Sequence, residues 1–171
     1  MLQTYDNINK QLHTILQISD NFDVLTRELV VGNRRIMCYY LNGFIQSAVV
    51  ENLFQFLLQV SKDMDTIEQW QAHCISYADS KIQEDLDTIV TLVLSGMMGI
   101  VIEGFDKALV LDVRIYPQRP PTEPDDDRVL RGSHMGFVET MVTNIVMIRR
   151  RIRDPKLKVE YLSVGSKSKT D

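Results

Sequence analysis

The sequence has few of the patterns that mark disulfide-bonded, metal-binding, secreted or membrane-spanning proteins. Its two cysteines, Cys38 and Cys74, lack a CxxC spacing, which favours buried free thiols in a reducing compartment over a disulfide or a metal site. Its three histidines lie far apart and form no HExxH motif, so nothing supports a zinc hydrolase. No apolar run reaches the roughly 18 residues that a membrane helix needs, and the first residues do not resemble a secretory signal.

The composition that remains is that of an ordinary globular chain with an uneven charge. Hydrophobic residues make up 44% and charged residues 25% of the 171 positions, which favours one folded domain or slightly more over a disordered chain. Residues 131–171 contain nine basic and four acidic residues, whereas residues 1–130 contain ten basic and nineteen acidic ones. This division predicts that the basic end contacts the acidic body, within the chain or between subunits, or that it meets an anionic partner.

Apolar spacing along the chain predicts a mixed α and β fold. Helices are expected at residues 5–19, 45–60, 64–72 and 82–95. Strands are expected in one hairpin at 29–31 and 36–41, in a second hairpin at 98–103 and 108–115, and briefly at 73–77. The fold class that follows is a mixed sheet of four to five strands, built from the two hairpins and flanked by helices.

A proline-rich and acidic stretch, PQRPPTEPDDD, suggests a boundary within the chain because it contains four of the five prolines. The predicted organisation is a helical segment (1–21), an α/β subdomain (22–116), a connector (117–134) and a final part (135–171). That final part is expected to hold a connecting helix and the truncated start of a second subdomain.

The stretch RGSHMGFVETMVTNIVMIRRRIR, at residues 131–153, predicts an amphipathic helix. The GSHM within it looks like the scar of a cleaved tag, but it lies deep inside the chain and reads as native sequence. One apolar stripe is expected from Phe137, Met141, Ile145, Ile148 and Ile152. Glu139 in the first turn and the arginines at the other end both suit the helix dipole.

The arginines of this helix, Arg149, Arg150, Arg151 and Arg153, allow three interpretations. They could be solvated, or they could pair with carboxylates of a neighbouring subdomain or subunit, since arginine suits bidentate pairing. A nucleic-acid contact is disfavoured because the chain is acidic and no aromatic residues are interleaved with the arginines.

The sequence also shows no arrangement of residues that would support catalysis. Ser133 and His134 have no acid placed beside them, and the residues around Gly165 do not form a phosphate loop. We therefore predict no enzyme activity, no metal and no cofactor.

The same region resembles the signature of the A subunits of the GerA-type spore germinant receptor family. The matching residues are Arg131-Gly132, Gly136-Phe137 with Glu139, Asn144, Arg149 to Arg151, and Gly165 with Ser168-Lys169-Thr170. Further matches are Phe22-Asp23 with Arg27-Glu28-Leu29, the 39–43 hairpin end, Leu94-Ser95-Gly96 and Glu123-Pro124. The resemblance covers roughly residues 22–171, and the form of the connector is similar to a sporulation-protein branch of the family.

The resemblance implies a cytosolic N-terminal region of two α/β subdomains, attached to a C-terminal transmembrane domain that is absent from this chain. It implies a place in the spore inner membrane, facing the cytoplasm, in an oligomeric channel that releases ions during germination. The expected role is assembly and signal transmission, with other copies and other germination membrane proteins as partners and no nucleic acid. Under this hypothesis, the contact with a neighbouring subdomain or subunit is made by Arg131, Gly132, Gly136, Phe137, Glu139, Asn144, Arg149, Arg150, Arg151 and Arg153. The alternative is a sensor that binds a small molecule in a cleft between the two hairpin units.

Overall fold

The computed structural model of the chain describes residues 4–45, 47–60, 64–74, 79–115 and 136–166. The helices in these ranges are α1 (Tyr5–Ile15), α2 (Ser47–Gln59), α3 (Ile67–Cys74), α4 (Leu86–Leu94) and α5 (Met141–Arg151). The strands are β1 (Val24–Val31), β2 (Arg34–Leu41), β3 (Ser80–Gln83), β4 (Met98–Ile102) and β5 (Ala108–Leu111). Among the described residues, no helix combines the length and the apolar character that crossing a bilayer requires.

The strands form one sheet in the order β1-β2-β4-β5-β3, and every pairing among them is antiparallel rather than mixed. Both predicted hairpins are present, so the predicted mixed α/β fold with a sheet built from two hairpins is confirmed. The hairpins join edge to edge, because β2 pairs with β4 with Ile36 opposite Ile102. In the described part of the chain the two hairpin units are therefore one continuous sheet, and the small-molecule site of the sensor hypothesis stays a prediction.

Helices cover both faces of the sheet because side chains alternate along each strand. On β2, Ile36 and Cys38 point to one face, where they pack with α2 and α3, which we call the α2 face. Tyr39 and Leu41 point to the other, where they pack with α1, α4 and α5, which we call the α1 face. Cys38 is a free, fully buried thiol, as predicted, and burial raises its pKa to about 12, so it stays protonated.

Several predicted element boundaries were wrong, and in two of the cases below strand pairing overrides the local pattern. β1 begins at Val24 instead of residue 29, because the polar residues 26–28 pair in register with β2. His73 and Cys74 belong to α3 and not to a strand, while the rest of that predicted strand lies outside the described residues. The short strand is β3, which pairs with β5 and takes residues assigned to the start of the fourth helix.

Candidate functional site

The helix predicted for the basic segment is α5. It begins at Met141, four residues after Phe137, the first residue of the predicted apolar stripe. Its buried residues are Ile145, Val146 and Arg149. Phe137 and Ile152, the two ends of the predicted stripe, lie outside the helix and are 71% and 46% exposed. The predicted stripe was therefore wrong at both ends, because α5 turns Val146 and Arg149 towards the body of the domain.

Helix α5 packs closely against Gly43, at the end of the first hairpin. The backbone φ of Gly43 is +83°, a conformation that favours glycine. A Cβ atom at Gly43 would lie 2.5 Å from Val142 Cγ1 and 2.8 Å from Val146 Cγ2. Only a residue without a side chain leaves space for α5 at this distance.

Arg149 anchors α5 in the interior through a bidentate ion pair with Asp23, just before β1. Its Nε donates to Asp23 Oδ2 at 2.7 Å and its Nη2 donates to Asp23 Oδ1 at 3.0 Å. The two side chains are 0% and 2% exposed. Arg149 Nη2 also donates to Asn21 Oδ1 at 3.1 Å, and Nη1 reaches the carbonyl of Asp154 at 3.5 Å. These hydrogen bonds compensate for removing both charges from water, so the pair is stable only as a complete unit.

Asn21 extends this anchor to the segment that follows α5, residues 154–161, which we call the C-terminal segment. Its Nδ2 donates to the carbonyl of Leu16 at 2.9 Å, and its Oδ1 accepts from the amide of Val159 at 2.9 Å. The amide of Phe22 in turn donates to the carbonyl of Val159 at 2.9 Å. The C-terminal segment is thereby attached to the turn that joins α1 to β1.

Three peripheral contacts lie around the same attachment. The rings of Phe22 and Tyr161 stack with centroids 5.2 Å apart. Gln17 Nε2 donates to the carbonyl of Pro155 at 3.2 Å. Lys158 Nζ lies 2.5 Å from Asp20 Oδ2, and this ammonium lowers the pKa of the Asp20 carboxyl. Because Asp20 is exposed, the pair adds little stability, and its role is to align the segment.

Asn144 holds the residues that precede α5. Its Oδ1 accepts from the amide of Val138 at 2.7 Å, and its Nδ2 donates to the carbonyl of Val138 at 2.6 Å. One side chain thus pairs with both backbone groups of a residue six positions earlier. Asn144 therefore orders the entry into α5.

Replacing Asn144 with alanine should release the segment before α5 without unfolding the domain. Two hydrogen bonds are lost, each contributing roughly 1 kcal/mol, and the Val138 amide becomes free to exchange. Hydrogen–deuterium exchange should show faster exchange at Val138. The matched variant Asn144→Asp keeps the acceptor for that amide and should retain most of its protection. Equal exchange of Val138 in all three proteins would contradict the assignment.

The structure separates the residues of the predicted contact into three groups. Arg131 and Gly132 lie outside the described residues. Gly136, Phe137 and Glu139 lie in the exposed segment before α5, and Asn144 is partly buried beneath it. Arg149 is fully buried within this chain, whereas Arg150, Arg151 and Arg153 are exposed at the end of α5. The contact itself stays a prediction.

Sequence reasoning missed Asn21, Asp23 and Gly43 as parts of this site. Phe22-Asp23 and the 39–43 hairpin end did stand out as matches to a family, but no pattern linked them to the arginines. Ser133 and His134 lie outside the described residues. Within the described ranges, no group of three or more His, Cys, Asp or Glu side chains is placed to hold a metal ion.

Comparison with known proteins identifies relatives over nearly the whole chain. A family model described as the Bacillus/Clostridium GerA spore germination protein matches residues 10–171. Stage V sporulation protein AF of Bacillus subtilis (strain 168) is 38% identical over 154 residues, covering 88% of this chain and 31% of that protein. Spore germination protein KA of the same organism is 29% identical over 161 residues, covering 91% of this chain and 30% of that protein. This chain therefore spans less than a third of the length of these relatives.

A solved structure shares the fold. It is the N-terminal domain of the A subunit of the Bacillus megaterium spore germinant receptor GerK3, with a TM-score of 0.71 and 16% identity. The likeness covers 96% of this chain and 61% of that one. The resemblance to the GerA-type family, and the likeness to a sporulation protein within it, are confirmed.

Proposed function

Because the chain belongs to the GerA family of Bacillus/Clostridium spore germination proteins, we propose that it serves assembly and signal transmission in such a protein. It would do so from the cytoplasmic side of the spore inner membrane, as part of an oligomeric ion-release channel. The domain would act by contact and not by catalysis.

One observation carries this proposal: the buried pair of Arg149 and Asp23 fixes the basic end of α5 to the body of the domain. Arg150, Arg151 and Arg153, which we call the α5 arginines, are exposed around this anchor. Their backbone is held in place by Arg149, so less entropy is lost when they meet a partner than on a free tail. Carboxylates of a neighbouring copy or of another germination protein would suit them, because arginine binds carboxylates with two parallel hydrogen bonds.

The anchor also provides a short path for a signal. Arg149 contacts Asn21 and Asp23, and Asp23 accepts from the amide of Asn42 through its carbonyl at 2.8 Å. A displacement of the α5 arginines would therefore reach the first hairpin through one buried side chain and one backbone hydrogen bond. Packed elements of this kind transmit small shifts because they have few alternative arrangements.

The test is the double variant Arg150→Glu/Arg151→Glu in the full-length protein. We expect subunit co-purification and germination rate to fall at least about tenfold, because like-charge contacts at an interface cost several kcal/mol. Lys81→Glu, which reverses one exposed charge on the edge strand β3, is the control and should leave both unchanged. Arg149 stays intact, since its replacement would test folding instead. Wild-type assembly and germination in the double variant would refute the contact.

A further inference from the structure

Helix α1 ends in a turn that usually contains glycine, but glutamine occupies the position that glycine normally takes. The amide of Ile18 donates to the carbonyl of His13 at 3.2 Å, and the amide of Gln17 donates to the carbonyl of Thr14 at 3.3 Å. These two bonds form the Schellman arrangement, which requires a left-handed residue just after the helix. Gln17 is that residue, with a φ of +48°. The end of α1 is therefore strained, because a side chain at this φ costs free energy that glycine does not.

The side chain of Gln17 makes a contact that glycine could not make. Its Nε2 donates to the carbonyl of Pro155, in the C-terminal segment, at 3.2 Å. The two residues lie 138 positions apart, so this bond exists only while the C-terminal segment lies against the turn. Strained backbone conformations persist where the surrounding structure holds them in place. At Gln17 the C-terminal segment is part of that surrounding structure.

Asn21 joins the same end of α1 to the C-terminal segment a second time. Its side chain is buried and donates to the carbonyl of Leu16, which is one of the carbonyls that a helix end leaves without a partner inside the helix. The Oδ1 atom of the same side chain accepts from the amide of Val159. One amide group thus binds both the last turn of α1 and the C-terminal segment, so the two are ordered together.

Helix α1 depends on contacts of this kind because it is short. It has 11 residues, fewer than the roughly 12 that an isolated helix needs to persist in water. Within the described part of the chain, the side chain of Thr4 makes no capping hydrogen bond at its N-terminus. Ile8 and Leu12 hold the middle of α1 on the sheet, and Asn9 accepts from the hydroxyl of Tyr39 at 2.8 Å. Helix ends open before buried interiors, so the last turn responds first when its contacts are lost.

We propose that the C-terminal segment acts as a strap that keeps the end of α1 ordered. While it is attached, it holds Gln17 in the left-handed conformation and Asn21 on the carbonyl of Leu16. When it is displaced, the strain at Gln17 is no longer offset, and the last turn of α1 opens. This coupling deepens the proposed signal transmission, on which its role in the cell rests, by adding a route from the C-terminal segment to α1. It involves none of the α5 arginines and is measured in this chain alone, so the two proposals can fail separately.

Two substitutions of Gln17, followed by hydrogen exchange, separate the strain from the contact. Gln17→Ala and Gln17→Gly both remove the bond to Pro155, but only glycine relieves the backbone. With alanine, the amides of Ile18 and Val159 should both exchange at least about threefold faster, as the loss of one hydrogen bond allows. With glycine, Val159 should again exchange about threefold faster, whereas Ile18 should exchange no faster than in the wild type. Exchange at Val159 that neither variant changes overturns the proposal.

Val159→Pro tests the coupling from the other side, because it removes the amide that Asn21 accepts. Exchange at Ile18 should accelerate at least about fivefold, and less than about twofold when the same change is made in Gln17→Gly, whose helix end no longer needs the strap. Leu162→Pro, at a position that is 71% exposed and lies beyond the C-terminal segment, is the control and should leave Ile18 at its wild-type rate. Equal acceleration at Ile18 in both backgrounds, or none in either, overturns the proposal. Circular dichroism establishes that each variant is folded, and the two Gln17 variants decide the question if Val159→Pro is not.

Discussion

Replacing Arg149 with alanine is expected to destabilise the domain by about 3–5 kcal/mol. The change leaves the carboxylate of Asp23, which is 2% exposed, without its partner, and a buried charge without compensation is among the costliest defects in a folded protein. It also removes the hydrogen bond to Asn21, which holds the C-terminal segment. Urea unfolding followed by tryptophan fluorescence measures the free energy of unfolding.

Matched variants separate the buried pair from general effects of charge. Arg153→Ala removes an exposed arginine two positions after α5 and should change the stability by less than about 0.5 kcal/mol. The double variant Arg149→Met/Asp23→Leu removes both charges and should recover much of the loss, because an apolar pair needs no compensation. A loss below about 1 kcal/mol for Arg149→Ala would show that the ion pair does not anchor α5.

Elements that short-range sequence patterns determine, such as the first hairpin, could be predicted from the sequence. Gly32-Asn33 between two apolar runs predicted the first hairpin, and glycine there adopts a φ of +59°. β1 was predicted too short because Arg27 and Glu28 look like loop residues in sequence. Both are exposed on β1, which is the first strand in the sheet order, and there charged residues keep access to water while the backbone still pairs with β2.

The site was predictable only in outline, because its contacts join distant parts of the chain. The uneven charge predicted that the basic end meets an acidic partner. It could not identify Asp23, which lies 126 residues before Arg149, among nineteen acidic residues of the body. Nor could it separate Arg149 from the arginines beside it, since burial depends on the rotation of α5 and hence on its contact with Gly43.

Replacing Gly43 with alanine is expected to displace α5 and to cost roughly 2–4 kcal/mol. A non-glycine residue at a φ of +83° costs about 1–2 kcal/mol, and overpacking typically adds 1–3 kcal/mol. The added Cβ would lie 2.5 Å from Val142 Cγ1, so either α5 or the hairpin end must move. Hydrogen exchange along α5 should accelerate, because Arg149 can no longer reach Asp23 with the same geometry.

Gly32 provides the control that isolates this steric effect. It also has a positive φ, of +59°, but a Cβ there would meet no atom within 4 Å. Gly32→Ala should therefore show the backbone cost alone, about 1 kcal/mol, with unchanged exchange in α5. Gly43→Ala/Val142→Ala should regain part of the loss, since it removes the nearest clash and keeps the strained backbone. If Gly43→Ala and Gly32→Ala lose equal stability, α5 does not depend on the space above Gly43, and the position of the α5 arginines must be fixed by the Arg149 pair alone.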